Sequence, residues 1–195
     1  KLRNNEMQKA RENTDKILQG LAYHDEITAE NIYQFLIVLS RLPDVQSRNE
    51  QACSILFGQL LKKNPMYANI FAATADGTVF ASALSEAVVN IQDRKYYRDV
   101  LRTKDFSAGE YTVGAMSNLP VIPYAYPVLD AGGRVKAILV VGIKLASYGE
   151  IFSFADLPAG STVNVLDHKY TLMYRHPESE KYSGRTDLPD IIRQI

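Results

Sequence analysis

The stretch from residue 92 to residue 145 constrains this chain most. It opens with QDRKYYRDVL, passes through GEYTVGAMSNLPVIPYAYPVLDAGG and closes with RVKAILVVGIKL. Residues 110–115 alternate, 121–128 are rich in Val, Ile and Tyr, and 135–143 are almost continuously apolar, a pattern that predicts strands. Between them lie SNLP and DAGG. Asn and Asp tolerate left-handed backbone and Gly reaches positive φ without strain, so both read as turns. The result is an antiparallel meander. In front of it, Asp93 is placed to cap a short helix by accepting from the free amides of the first turn. A helix bearing Arg94, Tyr96 and Tyr97 thus leads into a sheet bearing Tyr111, Tyr124 and Tyr126, and the combination reads as a pocket.

The rest of the chain reads as its scaffold. Residues 2–42 form one long amphipathic helix in this reading, with Leu18, Leu21, Thr28, Ile32, Phe35 and Leu39 as the apolar stripe. The stripe is sparse before Ile17. Pro43 ends the helix, because it lacks an amide hydrogen and clashes with the preceding turn. SRNE at 47–50 predicts a capping box for a second helix with Cys53, Leu56 and Leu60 on one face. YANIFAAT and TVFAS flank Asp76-Gly77, a strong hairpin signal, and with the 92–145 block they make a sheet of about five antiparallel strands. Beyond Leu145, ASYGEIFSFADL predicts a helix, Pro158-Ala159-Gly160 a break, and STVNVLD and YTLMYRHP a second hairpin around Asp167-His168-Lys169. The two hairpins share an order of strand, acidic turn and strand, a weak internal repeat. The expected class is α+β: a long N-terminal helix, a five-stranded antiparallel sheet and a second, truncated unit.

Composition narrows the function. At 195 residues the chain holds one domain or one and a fraction. Its 22 basic and 22 acidic side chains balance, with no basic stripe for nucleic acid. The single cysteine, Cys53, excludes an intrachain disulfide and, on an apolar helical stripe, suits a core residue better than a nucleophile. No apolar run reaches the ~18–20 residues of a membrane span. The opening KLRNNEMQKARENTDK is polar rather than signal-like, so the expectation is a soluble piece of something longer. His24, His168 and His176 lie in unrelated segments without metal-ligand spacing, and no nucleophile elbow, phosphate loop or dinucleotide fingerprint occurs. The expectation is a binding module, with no enzymatic reaction and no cofactor.

The succession of long helix, DRKYY, AYPVLDAGGRVKAILVVGIKL and VNVLD…RHPESEKYSGR resembles the double Cache family of PAS-like sensor domains, also called PDC. The resemblance covers nearly the whole chain, best over residues 76–184. It implies an extracytoplasmic, periplasmic module set between two transmembrane helices of a histidine kinase, chemoreceptor or cyclic-dinucleotide enzyme, those helices being absent from this sequence. It also implies an N-terminal helical stalk over 1–65, a membrane-distal ligand-binding unit over 66–147, part of a membrane-proximal unit over 148–195, and a homodimer through the N-terminal helix. Amino-acid sensors of the family carry an Arg-x-aromatic-aromatic run, a Tyr on the next strand and an Asp near the end of the last strand. Arg94, Tyr96, Tyr97 and Tyr111 match the first parts; the Asp would fall near Gly142 and is absent. The run YTVGAMSN…PYAYPV, which contains Met116, Tyr124 and Tyr126, is similar to the dicarboxylate-sensing members. The resemblance therefore implies a small ligand, an organic acid before an amino acid, held by Arg94, Tyr96, Tyr97, Tyr111, Met116, Tyr124 and Tyr126.

Blander roles exist for the same side chains. Arg94 can pair with Asp99 or Glu110 at the surface. Tyr124 and Tyr126 share one strand face by alternation, so they line a pocket or pack a core together. Tyr96 and Tyr97, adjacent on a helix, cannot face the same way. If none of them meets a ligand, the module is a spacer that dimerises its host.

Overall fold

The computed structural model describes residues 2–84, 89–149, 160–167 and 169–185. Helix α1 (Leu2–Ser40) is the predicted long helix. Its buried apolar positions among the described residues are Leu21, Ile32, Leu36 and Leu39, while Leu18 is 57% exposed and Phe35 only half-buried. The stripe is therefore turned slightly from the expected one, with Leu36 at its centre. Pro43 does stop α1, and it then opens a one-turn helix, α2 (Pro43–Ser47), at a first position where a missing N–H costs nothing. Arg48 takes a left-handed φ of 57° and separates α2 from α3 (Glu50–Lys63). The cap of α3 is Asn49, whose side chain accepts from the Ala52 amide at 3.2 Å. That corrects the SRNE capping box: Ser47 is spent in the last turn of α2, donating to the Asp44 carbonyl.

The predicted first hairpin forms from β1 (Tyr67–Thr74) and β2 (Val79–Ser82), with Gly77 at φ 84° in its turn. After it come α4 (Lys95–Thr103), β3 (Ser107–Ala108), β4 (Thr112–Val113), β5 (Pro120–Leu129) and β6 (Val135–Lys144). All pair antiparallel in one six-stranded sheet of order β2-β1-β6-β5-β3, with β4 also on β5. The expected strand over 110–115 shrinks to two residues. Pro123 accepts from the Gly109 amide at 2.7 Å but has no N–H to return, so the edge ladder breaks there and resumes at Thr112. Asp93 is not the cap of α4 either: the helix starts one residue later, from Arg94, without a side-chain cap.

Alternation along β1, β5 and β6 creates two faces. One carries Ile70, Ala72, Tyr124, Val128, Leu139 and Val141 against Ile32, Leu36 and Leu39 of α1 and Cys53 and Phe57 of α3. The other carries Phe71, Ala73, Ala125, Ile138 and Val140 against Tyr96, Tyr97 and Val100 of α4. Midway along α1, Leu21 joins Leu145, Tyr148 and Tyr174 in a third cluster, fixed by a 2.6 Å bond from the Tyr148 hydroxyl to Asp25. Tyr174 belongs to the predicted second hairpin, β7 (Val163–Leu166) and β8 (Leu172–His176), which is followed by the short α5 (Ser179–Tyr182). After β6 the chain makes a 3-10 turn at Leu145–Ser147. Most of the helix expected from ASYGEIFSFADL, the Pro158-Ala159 break and His168 lie outside the described residues.

Phe57 is wholly buried where α3 meets the sheet. Phe57→Ala should cost about 3–5 kcal/mol of stability by chemical denaturation, and a loss under about 1 kcal/mol would contradict this packing. A second expectation concerns alkali. Burial pushes the Tyr124 hydroxyl from 10.0 up to about 12, and burial followed by the bond to Asp25 raises Tyr148 as well. Both contribute their full stability below the unfolded value. Above about pH 10 the unfolded chain ionises while the folded one keeps its protons, so stability should fall from pH 10 towards 12. Urea midpoints that stay flat over that window would refute it.

Candidate functional site

A cavity of about 40 Å³ lies on the α4 side of the sheet, room for roughly three water molecules. Its floor is strand surface: Ala68, Asn69 and Phe71 from β1, Val121 and Pro123 from β5, and Gly142 from β6. Its walls are Arg94 and Tyr96 at the start of α4, Ile91 before it, and residues 112–117, where β4 runs into a turn. The geometry follows from register. Gly142 pairs with Asn69 on one side and Pro123 on the other, and having no side chain it leaves the floor open; a Cβ there would meet nothing nearer than Val121 at 3.7 Å.

Arg94 is half-buried at the rim. Its Nη1 donates to Thr112 Oγ1 at 2.8 Å and its Nε lies 3.4 Å from the Asp93 carboxylate. The alternative surface partners are otherwise engaged: Asp99 pairs with Lys95 and Arg102, and Glu110 with Lys169. Tyr96 is 6% exposed and borders the cavity. Burial pushes its hydroxyl well above the ordinary value, against the opposing effect of Arg94, so it stays a neutral donor. Asn69, 4% exposed, is bonded to Ser82 through both ends of its amide, 3.1 Å from Nδ2 and 3.4 Å to Oδ1. Its Nδ2 also reaches Met116 Sδ at 3.6 Å. Among the described lining residues Arg94 is the one cation, and no carboxylate lines the cavity.

Of the residues singled out from sequence, the cavity gathers Arg94, Tyr96 and Met116. The other four tyrosines lie elsewhere. Tyr97 is buried on the far side of α4, where its hydroxyl donates to the Ala75 carbonyl at 2.9 Å and ties the helix to the first hairpin. Tyr111 packs into the cluster around Leu145 and Tyr174. Tyr124 and Tyr126 are on the opposite face of the sheet, among aromatic rings beneath α1: Phe106 stacks on Tyr124 at 5.8 Å and Tyr33 meets Tyr126 edge-on at 5.8 Å. Parity decides this, since Val121 and Pro123 face the cavity and Tyr124 and Tyr126 therefore cannot. Asn69, Thr112 and Ser117 escaped the sequence reading. The first had a signal, a lone amide in the apolar run YANIFAAT, because buried strand positions tolerate a polar side chain only with a partner. Thr112 and Ser117 had none. Among the described residues no His, Cys, Asp and Glu side chains cluster as a metal site, and no helix is long and apolar enough to cross a membrane.

No protein-family model matches the chain, and no curated protein matches it in sequence. Solved structures do match. The sensor domain of the V. cholerae histidine kinase DctB superposes with a TM-score of 0.72 at 16% identity, covering 100% of this chain and 77% of that one. The ligand-binding domain of the Campylobacter jejuni chemoreceptor Tlp3, in complex with L-valine, gives 0.65 at 14% identity over 93% of this chain and 77% of its own. A domain from Vibrio parahaemolyticus assigned to the sensory box/GGDEF family gives 0.58 at 13% identity, covering 95% and 83%. With its long N-terminal helix and antiparallel sheet, the chain thus has the fold of the sensor domains of histidine kinases, chemoreceptors and GGDEF proteins.

Proposed function

We propose that the chain is the extracytoplasmic sensing domain of a transmembrane signalling receptor, a histidine kinase, chemoreceptor or diguanylate cyclase, and that its cavity takes a small organic carboxylate. The observation that carries the ligand class is charge: among the described lining residues Arg94 is the one cation and none is an acid. A guanidinium offers a carboxylate two parallel donors, and the neutral Tyr96 hydroxyl stands beside it. Asn69 supplies a neutral polar group for the rest of the ligand. The Tlp3 domain was solved with L-valine, but an amino acid suits this cavity less. Its ammonium needs an anion; none of the described lining residues is one, and Gly142 stands where the resemblance implies an Asp.

In this reading residues 66–147 are the ligand-binding unit, 148–195 part of a membrane-proximal one, and 1–65 the helical stalk. The stalk also suits a dimer. Gly20, Tyr23, Ile27, Gln34 and Val38 recur at steps of three, four, seven and four residues and are all exposed, Tyr23 by 67% and Val38 by 63%, which makes a stripe for a second copy of α1. A second reading has support in the small volume of the cavity and its largely apolar walls: a ligand-free module that spaces and dimerises its host.

Titration calorimetry with acetate, pyruvate, succinate and L-valine separates the two. The sensing reading expects saturable binding of at least one acid, and the spacer reading expects none. For an acid that binds, Arg94→Ala removes a charge-assisted bond worth ~1.5–3 kcal/mol, or roughly ten- to a hundredfold in affinity. Gly142→Asp, which places a negative charge on the floor, should weaken the same acid; equal binding by both folded variants would exclude this cavity. For the dimer, Tyr23→Cys and Ile27→Cys in the full-length receptor should form intermolecular disulfides, Cys53 being buried and out of reach. Failure at both positions would rule out this stripe as the seam.

A further inference from the structure

Between the cavity and the second hairpin the chain passes through Glu110-Tyr111-Thr112, and these successive side chains diverge. Thr112 borders the cavity and holds Arg94 Nη1 at 2.8 Å. Tyr111 turns the other way, into the cluster of Leu21, Leu145, Tyr148 and Tyr174. Its hydroxyl sits against Gly184, beyond β8, at a point where any Cβ would collide with it. Glu110 forms an ion pair with Lys169, in the turn between β7 and β8. The segment is lightly anchored to the sheet, since β4 is two residues long and pairs only with Val121 and Pro120 at the start of β5. Gly109 and Gly114 bracket it: the Gly109 amide donates to Pro123 at 2.7 Å, and Gly114 donates to Leu119 at 2.9 Å and accepts from the Asn118 amide at 2.8 Å, the latter two bonds lying within the turn.

We propose that residues 110–112 are the element through which occupancy of the cavity reaches the second hairpin. The proposal rests on the carboxylate reading of the site, although the mechanical link exists without a ligand. A carboxylate and the Thr112 hydroxyl compete for the same guanidinium, and a two-bond pair of opposite charges is stronger than a single bond to a neutral hydroxyl. Thr112, once released, loses its one tie to α4, and a strand of two residues has little else to hold its position. Tyr111 and Glu110 move with it, changing how β7 and β8 seat against α1 and Leu145. Coupling of this kind is reciprocal, so loosening the hairpin end must also loosen the cavity wall.

Hydrogen exchange on the intact chain tests it. Thr112→Val keeps the shape and removes the acceptor; Lys169→Gln breaks the other end. Thr112→Val should speed exchange across residues 163–176 by at least about fivefold, and Lys169→Gln should do the same across 112–118, with β1 and β6 unchanged. Leu129→Thr, at the other end of β5 and 37% exposed, should leave the hairpin as it is. Effects confined to each variant's own segment, or equal loosening by Leu129→Thr, would overturn the proposal. Acetate, pyruvate and succinate form the ligand arm. An acid that raises the melting temperature yet leaves hairpin exchange untouched sinks the relay and spares the site. If no acid binds, the carboxylate reading fails, and the variants still decide the link.

Discussion

Everything in this domain depends on the parity of one antiparallel ladder. β1, β6 and β5 run side by side in register, and each side chain on them must serve either the face under α1 or the face under α4. On the α1 face the choice is apolar throughout: Leu139 and Val141 of β6 are wholly buried there, with Val128 and, at 8% exposure, Tyr124 of β5. This packing is the main source of stability, since each fully buried Leu or Val contributes about 1.5–3 kcal/mol relative to exposure. The α4 face has the same composition at one end, around Ala73, Ile138 and Val140. At the other end it changes to Asn69, Pro123 and Gly142. A glycine and a proline side by side cannot fill the space beneath a helix as Ile or Leu would, and the cavity is what remains.

That composition change explains how much of the site was legible in the sequence. Elements were, because their signals are local: the Asp76-Gly77 hairpin, the Pro43 break, the Val and Ile runs of β5 and β6. Arg94, Tyr96 and Met116 were within reach as well, since a helix entry and the turn after an edge strand are where side chains can meet over a sheet. Tyr124 and Tyr126 were not, because alternation shows that two residues share a face without saying which face. That requires the register to β6 and the position of α1, both fixed by contacts distant in sequence. Asn69 shows the converse. It lies in the first hairpin, far from the 92–145 block, and only the pairing of Asn69 with Gly142 brings it to the floor. The break after Gly109 was hidden for a related reason: Pro123 looks harmless in a strand until its edge position is known.

The same ladder accounts for the separate roles of Tyr96 and Tyr97. Adjacent helical residues diverge by about 100°, so α4 cannot press both rings into one space. Tyr96 goes to the cavity, and Tyr97 reaches the carbonyl of Ala75 in the first turn. The second contact fixes α4 against β1 and β2 independently of anything in the cavity, so Arg94 projects from a helix whose position is already set. Pre-organisation of this kind lowers the entropy lost when a ligand is ordered.

Arg94 is also where binding and rearrangement meet. In the structure its donors are partly satisfied by a hydroxyl and by a carboxylate that is 74% exposed. A surface pair of that sort is worth little, and the bond to Thr112 carries charge on one partner only, whereas a carboxylate offers the guanidinium two parallel bonds between opposite charges. A ligand anion therefore gains over the resting contacts, by a margin small enough for exchange to stay reversible. A cavity of about 40 Å³ sharpens the point. A larger acid cannot enter without displacing the lip at residues 112–117, and the only part of its affinity that can move that lip is the difference between the open and closed arrangements. In the proposed reading size and charge act together: an anion would select Arg94, and its bulk would decide how far the lightly paired edge must travel.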